Sequence, residues 1–178
     1  NLEFVILSVV SAMLAWLVAR RFGRAKLYFG HGTETAQDEA AWLVGHALRI
    51  APDRLAERLN KPVSSAALKK IDALTAARIQ TRRPLAYLLK EAWFAGRKFY
   101  VDERVIVPRS LTGEFIVEQF QPWIDTKRVR RILDLCTGSG CMAIACAQAF
   151  PRARVDAADL SGEALAVARI NIKRHRLS

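Results

Sequence analysis

Cysteine and histidine are scarce in this sequence, which has three of each among 178 residues. The cysteines, Cys136, Cys141 and Cys146, are odd in number and do not predict a disulfide framework. No histidine stands at a spacing that would complete a metal site with them. We therefore expect no metal, a cytoplasmic location in which thiols stay reduced, and cysteines that fill space in the core.

A long apolar run is also lacking. Residues 4–19 carry no charge over sixteen positions, but they include Ser8 and Ser11, and a helix needs about 20 apolar residues to span a bilayer. Four basic residues follow this run: Arg20, Arg21, Arg24 and Lys26. The pattern predicts a buried first helix that ends near Gly23, is covered by later helices and has no membrane contact. An N-terminal membrane anchor is the alternative.

Acidic residues are few relative to basic ones. The chain has 28 Lys and Arg against 17 Asp and Glu, a net charge of +11. Such a balance favours acidic or nucleic-acid partners through a long-range field. The basic clusters at residues 127–131 and 169–176 are either solvated faces or nucleic-acid contacts.

The first ninety residues have helical periodicity throughout. With 52% hydrophobic residues, the chain is long enough for one or two domains, each with a core. Apolar positions near helical spacing predict helices at residues 38–50, 52–59, 66–81 and 84–89. Ser64 or Ser65 is placed to cap the third of these. We predict a helical bundle domain over residues 1–95.

After these helices, the spacing of apolar residues changes from the helical period to the alternation expected of a strand. Residues 97–101 and 104–107 predict two strands joined through Asp102 and Glu103, a hairpin that ends at Pro108. We therefore place a β-hairpin linker at residues 96–109, between the helical domain and a second domain at residues 110–178. Ser110 is expected to cap a helix that runs to about Phe120.

A glycine-rich loop is the most informative part of the second domain. Residues 131–135 are short and β-prone, residues 137–140 favour a turn, and residues 141–149 favour a helix. In a strand, glycine loop and helix unit, glycine lets the backbone approach a nucleotide-like ligand. The candidate binding residues are Asp134, Cys136, Thr137, Gly138, Ser139 and Gly140.

Asp134 favours a ligand that carries an ammonium group over a dinucleotide. The spacing of Gly138, Gly140 and Ala143 also fits a relaxed dinucleotide fingerprint, so the glycines alone permit NAD. However, a carboxylate at the strand end suits a cationic ammonium and would repel a pyrophosphate. Asp134 therefore favours a zwitterionic ligand such as S-adenosylmethionine.

A second strand and helix unit adds another carboxylate. Residues 154–158 predict a strand that Asp159 ends, and Ser161 is placed to cap a helix over residues 162–174. Asp159 follows Gly140 by nineteen residues, close to the roughly 20-residue offset at which an acid reaches ribose hydroxyls. We predict that Asp159, with Leu160 beside it, contacts the ligand. Capping of the strand ends is the alternative role for Asp134 and Asp159.

Together these motifs resemble the HemK-type protein glutamine methyltransferases. The similarity is carried by residues 83–88, 92–96 and 99–110 and by Asp134-Leu135-Cys136-Thr137-Gly138-Ser139-Gly140. Gly30-His31-Gly32-Thr33 is similar to the branch that methylates a glutamine of the third large-subunit ribosomal protein. The resemblance implies a helical substrate-recognition domain and a Rossmann-like catalytic domain, hence an α/β fold. It also implies S-adenosylmethionine as methyl donor, with Gly138 and Gly140 beside its methionine part and Asp159 on its ribose.

One departure from the family concerns catalysis. The Asn-Pro-Pro-Tyr motif, which by resemblance binds the glutamine amide, is not found in this sequence. We therefore expect a truncated Rossmann-like domain, an inactive fragment of the enzyme, and no assignable catalytic residue. The resemblance implies a ribosomal protein as substrate, with contacts to ribosomal RNA through the basic clusters.

Two other functions stay open on the sequence. A nucleic-acid methyltransferase acting on RNA or DNA would use the same donor loop, and a non-catalytic donor- or ribosome-binding module would suit the short chain. Arg109 and Glu114 either line the donor pocket, as the resemblance implies, or form an ion pair.

Overall fold

The computed structural model of the protein describes residues 10–30, 32–50 and 63–177. The chain divides into two compact units, residues 1–89 and residues 90–178. The helix predicted over residues 52–59 and the motif residue His31 lie outside the described residues.

The described part of the first unit is helical, as predicted. Its helices are α1 Val10–Arg24, α2 Ala36–Leu48, α3 Ser65–Thr81 and α4 Leu85–Leu89. The Thr35 hydroxyl accepts a hydrogen bond from the backbone N–H of Asp38, whose carboxylate accepts one from the N–H of Thr35. Ser64 caps α3 by accepting from the N–H of Ala67 at 3.2 Å. Both helices therefore begin where a side-chain oxygen replaces a missing helical partner.

Helix α1 is less covered than predicted. Val18, Ala19 and Phe22 are buried, whereas Met13, Trp16 and Leu17 on the opposite face are 43 to 53% exposed. The expectation that later helices cover the whole apolar surface is wrong for these three residues. In the described part of the chain, no helix combines the length and the apolarity needed to cross a membrane.

The hairpin of the second unit lies earlier than predicted. Strands β1 Ala92–Phe94 and β2 Arg97–Phe99 pair antiparallel around a turn at Ala95 and Gly96, both with positive φ. The strand predicted at residues 104–107 is wrong, because Asp102 closes a turn in which its carbonyl accepts from the N–H of Val105. Apolar residues alternate here as they do in a strand, but Val101, Val105 and Val107 are buried because an irregular segment packs against the rest of the unit.

The remainder of the second unit is an α/β arrangement. Strand β3 Arg131–Leu135 pairs in parallel with β4 Arg154–Ala158, with Arg131 opposite Arg154 and Leu135 opposite Ala158. Helix α6 Cys141–Ala149 follows β3, and α7 Gly162–Arg174 follows β4. These four elements confirm the predicted bounds. Phe99, Ile116 and Ile144 belong to the core that joins them to the hairpin.

Helix α5 Thr112–Val117 is shorter than predicted. Gln119 and Phe120 have φ of 54° and 55°, a left-handed conformation that ends the helix before Phe120. The Ser110 hydroxyl accepts from the N–H of Thr112 at 3.2 Å, so it does bond to the start of this helix.

Candidate functional site

The glycine loop connects β3 to α6 and is tied to β4. The N–H of Thr137 donates to the carbonyl of Ala158 at 2.9 Å, which extends the pairing of β3 and β4 into the loop. The N–H of Gly140 donates to the carbonyl of Thr137 at 2.8 Å and closes the turn. The loop is therefore a defined turn at the carboxyl ends of two parallel strands, where α/β folds bind their ligands.

The two glycines of the loop have different surroundings. Gly138 has φ of 54°, and a Cβ atom built there would meet nothing within 4 Å. Gly140 has φ of 78°, and its Cβ atom would lie 3.2 Å from the Cβ atom of Ala168 on α7. Gly138 therefore borders open space suited to a ligand, whereas Gly140 permits close packing of the loop on α7.

Asp159 joins the two strand ends. Its Oδ2 atom accepts from the N–H of Gly138 at 2.8 Å, and its Oδ1 atom accepts from the N–H of Ser161 at 2.9 Å. The N–H of Ser161, followed by that of Gly138, lowers the pKa of this carboxyl below its ordinary value. Asp159 is thus a charged acceptor in contact with the glycine loop, while the neighbouring Leu160 is fully exposed.

Asp134 is buried beneath the same loop. Its Oδ2 atom accepts from the Thr137 hydroxyl at 2.6 Å and from the N–H of Ala143 at 3.0 Å. A carboxylate at the first turn of a helix stabilises it, because it meets unpaired N–H groups and the positive end of the dipole. Asp134 therefore supports the start of α6, and both its contact with a ligand ammonium and the alternative of strand-end capping stay predictions.

The other predicted residues divide between surface and interior. Ser139 is buried, whereas Cys136 is exposed and has φ of 58°. Cys141 and Cys146 are buried, and burial raises the pKa of both thiols, to about 11 for Cys146. The prediction that all three cysteines fill core space is wrong for Cys136.

Asn171 is a loop-holding residue that the sequence reasoning missed. It is fully buried on α7; its Oδ1 atom accepts from the N–H of Tyr100 at 2.7 Å. Its Nδ2 atom donates to the carbonyls of Tyr100 at 2.9 Å and Ser139 at 2.8 Å. The sequence does contain a feature that could have identified Asn171. Its amide lies on the apolar face of a helix, together with Ala164, Val167 and Ala168.

Arg109 and Glu114 lie together in a cleft beside the hairpin. The cleft has a volume of about 550 Å³ and is lined by residues 93–96, 109–111, 113, 114, 117 and 118. The glycine loop and Asp159 are not part of this lining. The prediction that Arg109 and Glu114 line the donor pocket therefore stays a prediction.

Each of the two units matches the model of a known protein family. The family model of the methyltransferase small domain matches residues 113–178, and that of the PrmC N-terminal domain matches residues 16–89.

Two curated relatives are each called ribosomal protein uL3 glutamine methyltransferase. The protein from Burkholderia pseudomallei is 51% identical over 152 residues, which are 85% of this chain and 50% of the relative. The protein from Francisella tularensis is 47% identical over 153 residues, 85% of this chain and 49% of the relative. The chain thus spans about half the length of these relatives. The resemblance noted in the motifs is confirmed: the chain belongs to the HemK-type protein glutamine methyltransferase family, in the branch that contains these two relatives.

Proposed function

We propose that this chain belongs to an enzyme that transfers a methyl group from S-adenosylmethionine to the side-chain amide of a glutamine in ribosomal protein uL3. The names of the two relatives and the match to a methyltransferase domain support this activity. Because the chain spans about half of those relatives, methyl transfer is assigned to the whole protein and donor binding to these residues. A cytoplasmic location and a ribosomal protein partner follow from the same proposal.

One observation carries the donor assignment: Asp159 is bonded to the N–H of Gly138, beside open space above the loop. Each oxygen of its carboxylate accepts one hydrogen bond from a main-chain N–H, and carboxylate oxygens have capacity for more. Asp159 therefore suits the hydroxyls of a ribose, and exposed Leu160 offers an apolar contact for the base. The loop residues fit this ligand without a metal or a second cofactor.

The acceptor glutamine requires a second set of groups, separate from those that bind the donor. S-adenosylmethionine supplies an electrophilic methyl group, but an amide nitrogen is a weak nucleophile because its lone pair is delocalised. Catalysis needs this nitrogen held in line with the methyl group and hydrogen-bond acceptors for its N–H groups. The role of the glycine loop and Asp159 is to hold the donor in a fixed orientation.

Donor binding is tested with the chain itself. Isothermal titration with S-adenosylhomocysteine should give an affinity that falls about 10- to 100-fold in Asp159→Ala, because charge-assisted hydrogen bonds contribute about 1.5 to 3 kcal/mol. Asp156→Ala is the matched control: Asp156 is on the adjoining strand and pairs with Arg131 and Arg154. Equal affinities of the folded Asp159→Ala and parent chains would remove Asp159 from the site.

Methyl transfer is tested with the protein at the length of its relatives. Labelled donor, unmethylated uL3 and ribosomal RNA are incubated together, and the modified residue is identified by mass spectrometry. We expect one methyl group on a glutamine of uL3. Label in RNA would contradict the proposal and favour a nucleic-acid methyltransferase.

A further inference from the structure

A buried ion pair connects two helices of the first unit. Arg78 on α3 and Glu39 on α2 have side chains only 2% and 4% exposed, and the Arg78 Nε atom lies 2.5 Å from Glu39 Oε1. A buried ion pair is weak support for stability, because desolvation opposes the attraction. Stability alone therefore does not explain this pair, and its role in the protein depends on the groups that it positions.

The pair fixes the main chain before α2. The Arg78 Nη2 atom donates to the carbonyl of Tyr28 at 3.0 Å, and the Thr33 hydroxyl donates to Glu39 Oε2 at 3.4 Å. Tyr28 and Thr33 are thus both attached to the same buried pair. Charged groups in the core therefore hold Tyr28 on one side of position 31 and Thr33 on the other.

The Tyr28 side chain is exposed but not unsupported. It is 70% exposed, and its ring lies against the backbone of Gly30. A Cβ atom at Gly30 would stand 2.9 Å from Tyr28 Oη and 3.1 Å from two ring carbons, and Gly30 has φ of 137°. Only glycine at position 30 permits this placement of the ring.

We propose that Tyr28 is a preorganised aromatic anchor through which the first unit binds its protein substrate, with Glu39 and Arg78 as positioning residues. This inference rests on the proposed function, which makes uL3 the partner. An aromatic ring with a polar tip is a frequent hot spot of protein interfaces. Because its main chain and ring are already held, Tyr28 loses little conformational freedom on binding.

The first test measures binding of the chain to purified unmethylated uL3 by fluorescence anisotropy. Tyr28→Ala should weaken binding about 30-fold or more, the effect of a hot-spot truncation. Gly30→Ala should act in the same direction, because its methyl group displaces the ring while Tyr28 itself is retained. Tyr28→Phe keeps the ring and should stay within about threefold of the parent.

Trp16→Ala is the matched control. Trp16 is another large aromatic residue of this unit, 53% exposed, and it lies on a helix under the guanidinium of Arg20. Its removal should leave binding of uL3 unchanged. Affinity for S-adenosylhomocysteine should be equal in all these variants.

The positioning role is tested by replacing both charges. The pair Glu39→Met and Arg78→Met fills similar volume without leaving a buried charge, and should weaken uL3 binding about tenfold while thermal unfolding shows a folded chain. If this double variant does not fold, Tyr28→Ala and Gly30→Ala decide the proposal.

Three results would overturn the inference. Parent-like affinity of Tyr28→Ala for uL3 would remove Tyr28 from the interface while leaving the proposed function intact. An equal loss in Trp16→Ala would show a non-specific effect of aromatic residues. Failure of the parent chain to bind uL3 would overturn both this inference and the assignment of uL3 to this unit.

Discussion

The two units bury polar side chains for different purposes. In the first, Arg78 pairs with a carboxylate of opposite charge between two regular helices. In the second, Asn171 bonds to main-chain groups of two irregular segments, at Tyr100 and at Ser139 of the glycine loop, while Asp134 bonds to the Thr137 hydroxyl of that loop and to the first turn of α6. The contrast shows that helices need few internal polar partners, whereas a ligand loop needs side chains to satisfy its backbone.

The largest effect is expected from breaking the charge pair on one side. Arg78→Met leaves the Glu39 carboxylate buried without its cation and should lower the free energy of unfolding by about 3 to 5 kcal/mol. The double replacement of Glu39 and Arg78 by Met should recover most of this loss. Urea denaturation of the three chains measures both values, and a double variant as unstable as the single one would contradict the account.

A smaller effect is expected in the second unit. Asn171→Leu leaves the N–H of Tyr100 and the carbonyls of Tyr100 and Ser139 without these partners, which should lower the free energy of unfolding by about 2 to 3 kcal/mol.

Asn171→Asp provides the comparison, since it keeps an acceptor for Tyr100 but loses both donors. Its stability should be below that of Asn171→Leu, because the second carboxylate oxygen is buried against the carbonyls of Tyr100 and Ser139 and is repelled by both. Donor affinity, measured by titration well below the unfolding temperature, should decrease in the same order. Unchanged donor affinity in a destabilised Asn171→Leu would show that this residue holds the fold and not the loop.

Substitutions of the two loop glycines should affect the stability of the chain and its donor affinity to different degrees. Gly140→Ala places a methyl group 3.2 Å from Ala168 in a left-handed backbone, so we expect a loss of about 1 to 2 kcal/mol of stability. Gly138→Ala meets open space and should lose only about 1 kcal/mol for its positive φ. Its methyl group would instead enter the proposed donor space, so titration should show a larger loss of donor affinity relative to its loss of stability. The reverse order would exchange the roles of the two glycines.

The smallest effect concerns pH. The pKa of Asp159 is lowered in the folded protein. The stability that its carboxylate contributes is therefore complete above the ordinary pKa near 3.8, and it is lost as pH falls through the lower folded value. Donor binding depends on the folded carboxyl, whose pKa is lowered, so donor affinity should be constant with respect to this group from about pH 7 to pH 4 and decrease only as pH falls below the ordinary value of 3.8. Asp159→Asn is the reference, because the parent should approach it on acidification; a constant ratio of their affinities would exclude this carboxyl as the source.

Local sequence patterns were sufficient where one element follows another with clear end signals. The strand at residues 131–135, the glycine turn and the helix from Cys141 were predicted at their observed bounds, and so was the helix capped by Ser161. Backbone preference and capping act within a few residues, so they are visible in the chain itself.

The same patterns failed where burial is not regular. Val101, Val105 and Val107 have the appearance of strand residues, but they are buried along a turn that the Asp102 carboxylate supports by accepting from Arg104. The guanidinium of Arg104 lowers the pKa of Asp102 and keeps it charged in this turn. Alternation of apolar residues reports burial, and strand pairing is only one cause of it.

The sequence by itself determined the described helices of the first unit, the order of strands and helices around Gly138, and the presence of two acids at the strand ends, because each depends on residues close in the chain. Only the tertiary structure decided that Asp134 binds the start of α6, that Asn171 joins the segment at Tyr100 to the loop, and that Arg78 holds Tyr28. These contacts join residues 9 to 71 positions apart. They depend on how the helices and strands pack, which no local preference of the chain specifies.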